Sequence, residues 1–523
     1  MGAELLALPL SLVDRVAVDQ MSLTVYADRR YAGDPLLLTW QDRNKSNGVI
    51  LLIKPVDVDE VAKLRAGGMR IADDVDVDMM VRGHAIDIIR QAAAYGASDI
   101  HFMMRGEHAE IQVVIKGGLR VLVRKSQEEG EALTRAIYQG IAKTRDASYN
   151  PMDFQNAQIP GDALPPDAGL TSVRIVRGPC YPQSQDGAFM TMRLQYGAVQ
   201  SCTKRAGDLS PLSLPRQPAG QLRLTDMGYT AKQVESLKTL MDAPNGVVIF
   251  TGPTGSGKTT AMFEALQDIA RTKPQRRLVT VEDPVEYPMD WAVQMAVTGA
   301  RNDAETGAAF SERIRVALRM APNIILLGEL RGPDVAVAAL EAAVTGHQVW
   351  TTMHVTDPFL FVERLELMDR TRLDRRVFCD HKIVRGVVAQ RLLPKLCPHC
   401  SALLSEKPGA LSERIVSALV TWGHIGRVRV QGAGCSHCGH DGTMGRFAVA
   451  EVVVMDAAVM RDFIEHGSET ARHNYRAKSG TDPSMLESAI THALAGTVDP
   501  RAVEDWVDLI EAKDRRRNRD GLN

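Results

Sequence analysis

The sequence predicts an α/β protein whose main domain is a parallel sheet with helices on both faces. From Leu222 onward, short apolar runs alternate with segments of helical spacing, which is typical of strand–helix–strand units. The first run leads at once into a glycine-rich loop, and a helical pattern follows from Met262. Ligands of such sheets bind beyond the carboxyl ends of the strands. The predicted strands are Val247–Phe250, Leu278–Val281, Val293–Val297, Ile324–Leu327 and Gln348–Thr352.

The glycine-rich loop has the spacing of a phosphate-binding loop, G-x-x-x-x-G-K-T. Because it joins a buried strand to a helix start, several backbone N–H groups point to one spot, with the positive end of the helix dipole behind them. Glycine permits close backbone approach, Lys258 carries a mobile charge to the β- and γ-phosphates, and the Thr259 hydroxyl can bind Mg²⁺. The predicted nucleotide site comprises Gly252, Pro253, Thr254, Gly255, Ser256, Gly257, Lys258, Thr259 and Thr260.

An acidic segment follows the predicted strand Leu278–Val281. Glu282, Asp283 and Glu286 stand close together, and three carboxylates repel one another unless a metal–phosphate group or an attacking water is near. The alternative is a plain acidic turn, which a neighbouring phosphate-binding loop disfavours. The segment therefore predicts residues that support or activate water.

Two further strands end in polar residues. The run Ile324–Leu327 leads to Gly328 and Glu329, the pattern of a Walker B strand that places a carboxylate beside a metal. His347 and His354 bracket the last predicted strand. Each alone can be a structural residue, but the pair favours a sensor or relay at the γ-phosphate.

The composition excludes some classes of partner. At 523 residues the chain exceeds one ordinary core, so three or four domains are expected. The net charge of -2 and the 5% aromatic content argue against a nucleic-acid partner. No apolar stretch reaches the roughly 18 residues of a membrane helix, and Leu5–Val13 lacks a basic leader and a cleavage site. We expect a cytoplasmic protein that reaches a membrane only through partners.

Four of the seven cysteines form two C-x-x-C pairs. In a reducing compartment such pairs indicate metal ligands, and four thiolates without an open position indicate structural zinc. The predicted zinc ligands are Cys397, Cys400, Cys435 and Cys438, with His399, His437 and His440 as possible substitutes. Cys180, Cys202 and Cys379 are scattered singly.

The amino-terminal part carries no catalytic pattern of its own. Residues 1 to about 80 combine short apolar runs with an acidic stretch at 73–78 and suggest a docking module. A helix over His84–Tyr95 precedes two predicted strand pairs, the second of which carries Arg174, Arg177 and Arg193. On spacing alone these arginines suit a solvated face. The three prolines of Pro211–Pro218 indicate a linker, and the basic run after residue 512 indicates a solvated tail.

In this order the segments resemble the bacterial type II secretion and type IV pilus-assembly ATPases, the PilB-like and GspE-like family. The resemblance covers roughly residues 85 to 510. The motifs that carry it are Ala97–His101, the phosphate loop, an "Asp box" at Thr280–Tyr287, the Walker B run through Arg331, a "His box" at Thr345–His354, and the cysteine insert with Gly445-Arg446.

The resemblance implies ATP, Mg²⁺ and Zn²⁺ as cofactors and assigns roles to the residues. Glu286 would position or activate water with Glu282 in support, and Glu329 would sit at the Mg²⁺ that Thr259 also binds. Strand-borne arginines of this family act as arginine fingers, while the role of Arg177 stays open. The implied catalytic residues are Glu286, Glu329, Arg174, Arg193, His347 and His354.

The resemblance also implies an architecture: a RecA-like parallel-sheet ATPase domain, preceded by a PAS-like α+β domain that closes over the nucleotide and by a small amino-terminal domain. The implied divisions are an N-terminal docking domain at 1–82, a PAS-like domain with arginine fingers at 83–205, a linker at 206–221, a RecA-like core at 222–395, a tetracysteine zinc insert at 396–445 and a C-terminal helical region at 446–523.

By the same resemblance the chain would act as a homohexamer, peripheral to the inner membrane, that couples ATP hydrolysis to pilin polymerisation through an inner-membrane platform protein. Its short amino-terminal module favours pilus assembly, of the thin or conjugative type IV kind. The alternatives are a type II secretion motor, a RecA-like nucleic-acid translocase and a scaffold that binds ATP without turnover. Departures from the family pattern at Ile115–Gly118, Ala321–Asn323 and Gly332 lie outside the phosphate chemistry, so hydrolysis is expected to survive.

Overall fold

The computed structural model describes residues 5, 6, 8, 12, 15–19, 22–66, 72–106, 108–146, 148–197, 211–298 and 302–513. Cys202, the first part of the predicted linker and the basic tail after Lys513 lie outside these residues. Three larger sheets and one two-stranded sheet form in the described part. None of its helices combines the length and the apolar character needed to cross a bilayer.

The first sheet is small and lies near the amino terminus. Its order is β1-β2-β3, with β3 parallel to β2. Trp40 and Leu37 of the first helix are buried in its core. That helix begins after Asp34, whose carboxylate accepts a hydrogen bond from the Leu36 N–H. The elements are β1 (Val16–Asp19), β2 (Thr24–Asp28), α1 (Pro35–Ser46), β3 (Leu52–Val56) and α2 (Val58–Ala66).

The second sheet has seven strands in the order β6-β5-β4-β10-β9-β8-β7, all paired antiparallel. Helix α3 packs on it and extends twelve residues before the predicted start at His84, so the acidic stretch 73–78 lies in a helix. Ile89, Phe102 and Tyr138 form the centre of its core. The elements are α3 (Ala72–Ala94), β4 (Asp99–Arg105), β5 (His108–Ile115), β6 (Gly118–Ser126), α4 (Gln127–Arg135), β7 (Thr144–Arg145), β8 (Gln155–Pro160), β9 (Leu170–Pro179) and β10 (Ala188–Tyr196).

The third sheet confirms the predicted α/β class. Six parallel strands lie in the order β13-β12-β14-β15-β11-β16. Alternate residues of β11 enter two cores, Val247 and Ile249 on one face and Val248 and Phe250 on the other, so helices cover both faces. The elements are α5 (Ala231–Asp242), β11 (Gly246–Thr251), α6 (Lys258–Thr272), β12 (Leu278–Glu282), β13 (Ala292–Ala296), α7 (Asp303–Leu318), β14 (Ile324–Leu327), α8 (Pro333–Val344), β15 (Gln348–Met353), α9 (Phe361–Met368), α10 (Arg375–Phe378) and β16 (Val384–Leu396).

The cysteine segment follows β16 and forms a separate two-stranded sheet. The chain then returns to the third sheet with a strand that pairs antiparallel with β16, and the predicted end of the insert at residue 445 lies within this strand. Four short helices complete the described chain, as the helical pattern predicts. The elements are β17 (Ala402–Leu403), α11 (Glu413–Trp422), β18 (Arg429–Val430), β19 (Thr443–Val454), α12 (Ala457–Glu465), α13 (Ser468–Ala477), α14 (Met485–Leu494) and α15 (Pro500–Trp506).

The second sheet packs on the edge and the amino-terminal ends of the third. Backbone bonds join Tyr181 N–H to Gln294 O (2.8 Å) and Leu119 N–H to Gln275 O (3.0 Å). Arg319, which ends α7 just before β14, donates to Asn156 Oδ1 at 2.9 Å. The phosphate-binding loop follows the opposite, carboxyl end of β11. The two domains are therefore joined on the side away from that loop.

Candidate functional site

The phosphate-binding loop has a backbone that requires its glycines. Gly252, Gly255 and Gly257 have φ values of 147°, 77° and 81°. A Cβ on Gly252 would lie 2.5 Å from the Gln390 carbonyl oxygen, and one on Gly257 would lie 2.8 Å from Gln390 Nε2. Side chains at these positions would strain the loop and collide with β16. The strand predicted at Val247–Phe250 thus ends in a tightly fitted turn.

The loop and the start of α6 present several hydrogen-bond donors at one place. Helix α6 begins at Lys258 with Gly257 as its N-cap, and no side chain caps its first turn. The Ser256 hydroxyl is buried and has no hydrogen-bond partner within the described ranges. Lys258 Nζ donates to the carbonyl oxygens of Gly252 and Pro253, each at 2.9 Å. Burial lowers the pKa of Lys258. A phosphate would accept from these donors, so the loop fits a nucleotide.

The next two threonines connect the loop to the Asp box. Thr259 is half-buried on the first turn of α6, and its neighbour Thr260 makes a 2.8 Å hydrogen bond with the Tyr287 hydroxyl. The Tyr287 ring stacks on Phe263 with centroids 4.7 Å apart. The Asp box is therefore held against the same helix that opens the phosphate loop, which leaves the Thr259 hydroxyl for Mg²⁺.

Glu329 stands in a cluster of charges at the carboxyl end of the sheet. Its Oε2 accepts from Arg331 Nε at 2.9 Å, and Arg331 Nη1 also donates to Asp283 Oδ2 at 2.9 Å. Its Oε1 lies 3.5 Å from His354 Nε2. Burial, together with the nearby Lys258 charge, lowers the pKa of His354, so its imidazole is neutral near pH 7. The fold thus brings together the Walker B carboxylate, one of the two histidines and the loop lysine.

The two glutamates of the Asp box occupy different environments. Glu282 is buried, accepts hydrogen bonds from Thr280 and Gln294, and has its pKa raised by that burial. Glu286 is exposed, yet it lies close enough to Lys258 to act on it electrostatically. This difference suits a supporting role for Glu282 and a water-facing role for Glu286.

The structure separates the two histidines of the His box. His347 precedes β15, and its Nδ1 lies 3.0 Å from the Ala342 carbonyl oxygen. Its own carbonyl accepts from Gly246 at the start of β11, six residues before the phosphate loop. At about 3.3 Å per residue these ends lie about 20 Å apart. Within this chain, therefore, His354 lies at the end of β15 that faces Glu329 and Lys258, and the prediction that both histidines fall near the γ-phosphate is not supported for His347.

Arg174 and Arg193 lie opposite each other on β9 and β10, and neither lies at the phosphate loop of its own chain. They line one cavity together with Arg319, which marks the amino-terminal side of the third sheet. Arg193 Nε pairs with Asp99 Oδ1 at 2.9 Å; the arginine side chain is 50% exposed and the carboxylate 3%. Both arginine side chains are exposed, but within this chain they lie on the side of the third sheet away from the phosphate loop.

Arg177, left open above, is a structural residue. Its guanidinium is buried, donates to Asn150 O at 2.6 Å and to Gln155 Oε1 at 2.9 Å, and lies 4.2 Å from the centre of the Tyr149 ring. These contacts satisfy the charge inside the second sheet. Arg177 is therefore not available to a ligand.

The four predicted zinc ligands converge at one point. Their sulfur atoms all lie within 4.8 Å of one another, and three pairs, 397–435, 400–438 and 435–438, are 3.8 Å apart. Tetrahedral ligands about 2.3 Å from zinc would be about 3.8 Å apart, so the donor set fits this metal. A hydrogen bond from the Cys435 N–H, with another from Gly442, lowers the pKa of Cys438 to about 6, which favours its thiolate.

Sequence reasoning missed Gln390. Its Nε2 donates to Ser256 O of the phosphate loop at 2.7 Å, and its Oε1 accepts a short hydrogen bond from the Tyr229 hydroxyl. Gln390 is fully buried inside β16, a mostly apolar strand that was not predicted. The only signal was a polar pair, Gln390-Arg391, within an otherwise apolar stretch of that strand. Through this bond to Ser256, Gln390 positions the phosphate loop from the side of β16.

Comparison with known proteins decides the family. Residues 211–506, more than half of the chain, match the sequence profile of the family described as "Type II/IV secretion system protein". The chain belongs to this family. The predicted resemblance is thereby confirmed, and with it the class of P-loop ATPase.

Relatives of this secretion-family chain carry names from two systems. The type IV pilus assembly ATPase PilB of Thermus thermophilus is 29% identical over 412 residues, which are 78% of this chain and 41% of that protein. A putative type II secretion system protein E of Escherichia coli is 29% identical over 386 residues, 73% and 68% of the two chains. The type II secretion system protein E of Dickeya dadantii is 27% identical over 467 residues, 86% and 83% of the two. The chain thus spans about two fifths of the pilus ATPase.

Solved structures similar to this chain include a pilus retraction motor and an ATPase of Legionella pneumophila. The pilus retraction motor PilT with bound ADP has a TM-score of 0.38 and 20% identity, covering 80% of this chain and 96% of PilT. The ATPase DotB of Legionella pneumophila has a TM-score of 0.39 and 20% identity, covering 80% and 93% of the two chains.

Proposed function

We propose that this chain is a motor ATPase that turns ATP hydrolysis into the assembly of a type IV pilus. The observation that carries the proposal is the joint placement of Lys258, Glu329 and His354 beside a glycine loop and a helix whose first turn no side chain caps. Phosphoryl transfer asks a protein mainly for positioning and for neutralisation of charge, and this group of residues offers both.

The chain's residues divide the work of hydrolysis. The loop amides, Ser256 and Lys258 bind the phosphates of ATP, and Gln390 holds the loop from behind. Thr259 and Glu329 would hold Mg²⁺, an ion that neutralises phosphate charge when bound. Glu286 orients the attacking water, while buried Glu282 keeps the Asp box in place. His354 lies within reach of Glu329 and responds to the state of the γ-phosphate.

The arginines make hydrolysis depend on assembly. Arg174 and Arg193 lie on the side of the third sheet away from the phosphate loop, so a neighbouring copy is the simplest source of a cation for each site. As the resemblance to pilus-assembly and secretion ATPases implies, we propose a ring of six copies that works at the inner membrane with a platform protein. Turnover in such a ring would change its shape and add pilin subunits.

A phosphate-release assay on the full chain tests the enzyme. We expect Mg-dependent hydrolysis that Lys258→Ala abolishes, because the lysine charge at the phosphates is lost. Lys407→Ala, on an exposed position of the cysteine segment, is the matched control and keeps full turnover. Equal turnover in wild type and Lys258→Ala would refute the proposal, and no hydrolysis in wild type would favour a scaffold.

A type II secretion motor is the second candidate, because several relatives carry that name. The two can be separated in the native cell. Replacing the gene by its Lys258→Ala version is expected to remove surface pili, and cross-linking is expected to join the chain to a membrane protein encoded with pilin genes. Normal pili together with loss of an exported protein would assign the chain to secretion instead.

A further inference from the structure

A cavity of about 610 Å³ lies between the second and third sheets, on the side away from the phosphate loop. Strands β4, β5 and β6 form one wall. The other wall comes from the end of α6, the segment before β12, and Asp290, Trp291 and Val293 at the start of β13. The cavity has the size of the sites that hold drug- or nucleotide-sized ligands. It is separate from the loop that binds ATP.

The walls of this cavity carry an excess of positive charge. Glu110 and Asp290 are its only carboxylates among the described residues, and Glu110 already pairs with one arginine at 2.9 Å. Five guanidinium groups against two carboxylates leave an excess of three positive charges. The arginines of the cavity are Arg105, Arg124, Arg216, Arg276 and Arg277.

Arg277 is the least satisfied of these groups. It is only 3% exposed, and its Nε has no hydrogen-bond partner within the described ranges. Its other contacts are weak: Nη1 lies 3.5 Å from Gln112 Oε1, and Nη2 lies 3.7 Å from the Met103 sulfur. The nearby Asp99 is paired with Arg193. A buried cation without a close anion is costly, and burial lowers the pKa of Arg277 to about 9.

Trp291 provides a second unsatisfied donor and a flat apolar surface. Its indole N–H is buried without a hydrogen-bond partner in the described protein, and its ring packs 5.9 Å from that of Phe263. Leu119 and Pro215 add apolar area to the same cavity. The cavity therefore offers cationic groups for an anion and an aromatic face for the rest of a ligand.

We propose that this cavity is a second binding site, which takes a phosphorylated small molecule of nucleotide size. Arg276 and Arg277 bind its phosphate groups, and Trp291 contacts the remaining part. Because both domains form the walls, a bound ligand holds the second sheet on the third and stabilises this arrangement. The site does not depend on the proposed pilus function or on ATP turnover.

Calorimetric titration of the full chain tests this site. The background carries Lys258→Ala, which removes the lysine contact of the phosphate loop, and the probes are inorganic pyrophosphate and AMP. We expect about one equivalent of at least one probe to bind, and Arg276→Gln to weaken it at least about tenfold through loss of a charge-assisted hydrogen bond. Arg315→Gln, at an exposed position of α7, is the matched control and leaves affinity unchanged.

The two probes identify the ligand class, since tighter AMP binding indicates a nucleotide and tighter pyrophosphate binding indicates an inorganic polyphosphate. Arg276 is half-buried, so its variant keeps the packing that a change at Arg277 would disturb. A melting temperature unchanged from the background verifies this. Binding in wild type that disappears with Lys258→Ala, or equal affinity in the Arg276→Gln and Arg315→Gln chains, overturns the proposal. So does the absence of binding by both probes at millimolar concentration.

Discussion

Glu329 is the carboxylate proposed to hold the metal. Its two oxygens face different partners, Arg331 and His354. Glu329→Gln keeps the shape but removes the charge that holds a metal and polarises water. We expect ATP binding to persist while hydrolysis falls by about 10²–10⁴. Nucleotide affinity and phosphate release, measured on the same preparation, check this. Glu312→Gln, on the exposed face of α7, is the control, and normal turnover in Glu329→Gln would remove the Walker B role.

Arg193 allows a finger to be distinguished from a structural ion pair. If it acts on the γ-phosphate, Arg193→Ala loses turnover by about 10³–10⁵ with little change in nucleotide affinity. Its partner Asp99 provides the control, because Asp99→Ala removes the acceptor of the same 2.9 Å pair and leaves the arginine in place. Steady-state kinetics of both variants distinguish the two roles. Similar losses of turnover in the two variants would show that the ion pair is structural and would reject the arginine-finger role.

His101 gives the fold a dependence on pH. It is fully buried, bonds Thr191 at 3.0 Å, and lies near Arg193 and Arg277, so burial and those charges hold its pKa well below the ordinary value. Between the folded-state pKa of His101 and its unfolded pKa of about 6.5, the unfolded chain binds more protons than the folded one. The free energy of unfolding therefore rises with pH up to about 6.5 and falls on acidification. We expect His101→Gln to flatten the acid side of a melting-temperature profile. An unchanged profile would contradict this assignment.

At the level of elements, the cysteine segment is the part that depends on a metal. Four sulfur atoms at tetrahedral spacing close the excursion between β16 and β19. We expect one zinc per chain, lost in Cys438→Ser and kept in Cys379→Ser, whose thiol lies in the core of the third sheet. Metal removal is expected to expose residues 397–443 to proteolysis while Mg-ATP binding persists. Native protein without stoichiometric zinc would defeat the thiolate site.

Elements with a local signature were predictable from the sequence. The strand Ile324–Leu327 has the predicted bounds, and the phosphate loop follows β11 as its glycines require. Strand β19 was not predicted, because its role as an added antiparallel strand on β16 depends on a partner about 60 residues away. The separation of His347 from His354 follows from the predicted strand that lies between them. The contact of Gln390 with the phosphate loop, by contrast, depends on the pairing of β16 with β11, and sequence spacing alone does not contain that information.

The position of Arg174 and Arg193 relative to the phosphate loop depends on how the second sheet packs on the third, which the sequence does not reveal. The second sheet is joined to the third by an apolar core that includes Met103 and Phe189, on the side away from the phosphate loop. Moving it within one chain would expose this core. A neighbouring copy is therefore the economical way to bring Arg174 and Arg193 to a nucleotide.

Mixing two inactive variants tests that arrangement. Lys258→Ala and Arg193→Ala chains are each expected to be inactive, and a mixture is expected to regain ATP hydrolysis, since some sites combine an intact loop with an intact arginine. Mass measurement with a non-hydrolysable analogue is expected to give six copies. No recovery in a mixture that assembles would indicate that each chain supplies its own arginines through movement of the second sheet.

We propose that one loop binds the negative charge of a triphosphate through its amides, Ser256 and Lys258. The most direct measurement is the titration of the full chain with a non-hydrolysable ATP analogue and Mg²⁺. We predict saturable, Mg²⁺-dependent binding to the wild-type chain that falls by one equivalent in Lys258→Ala and is retained in full in Lys407→Ala. Equal binding by the wild-type and Lys258→Ala chains, or none by either, would contradict the account.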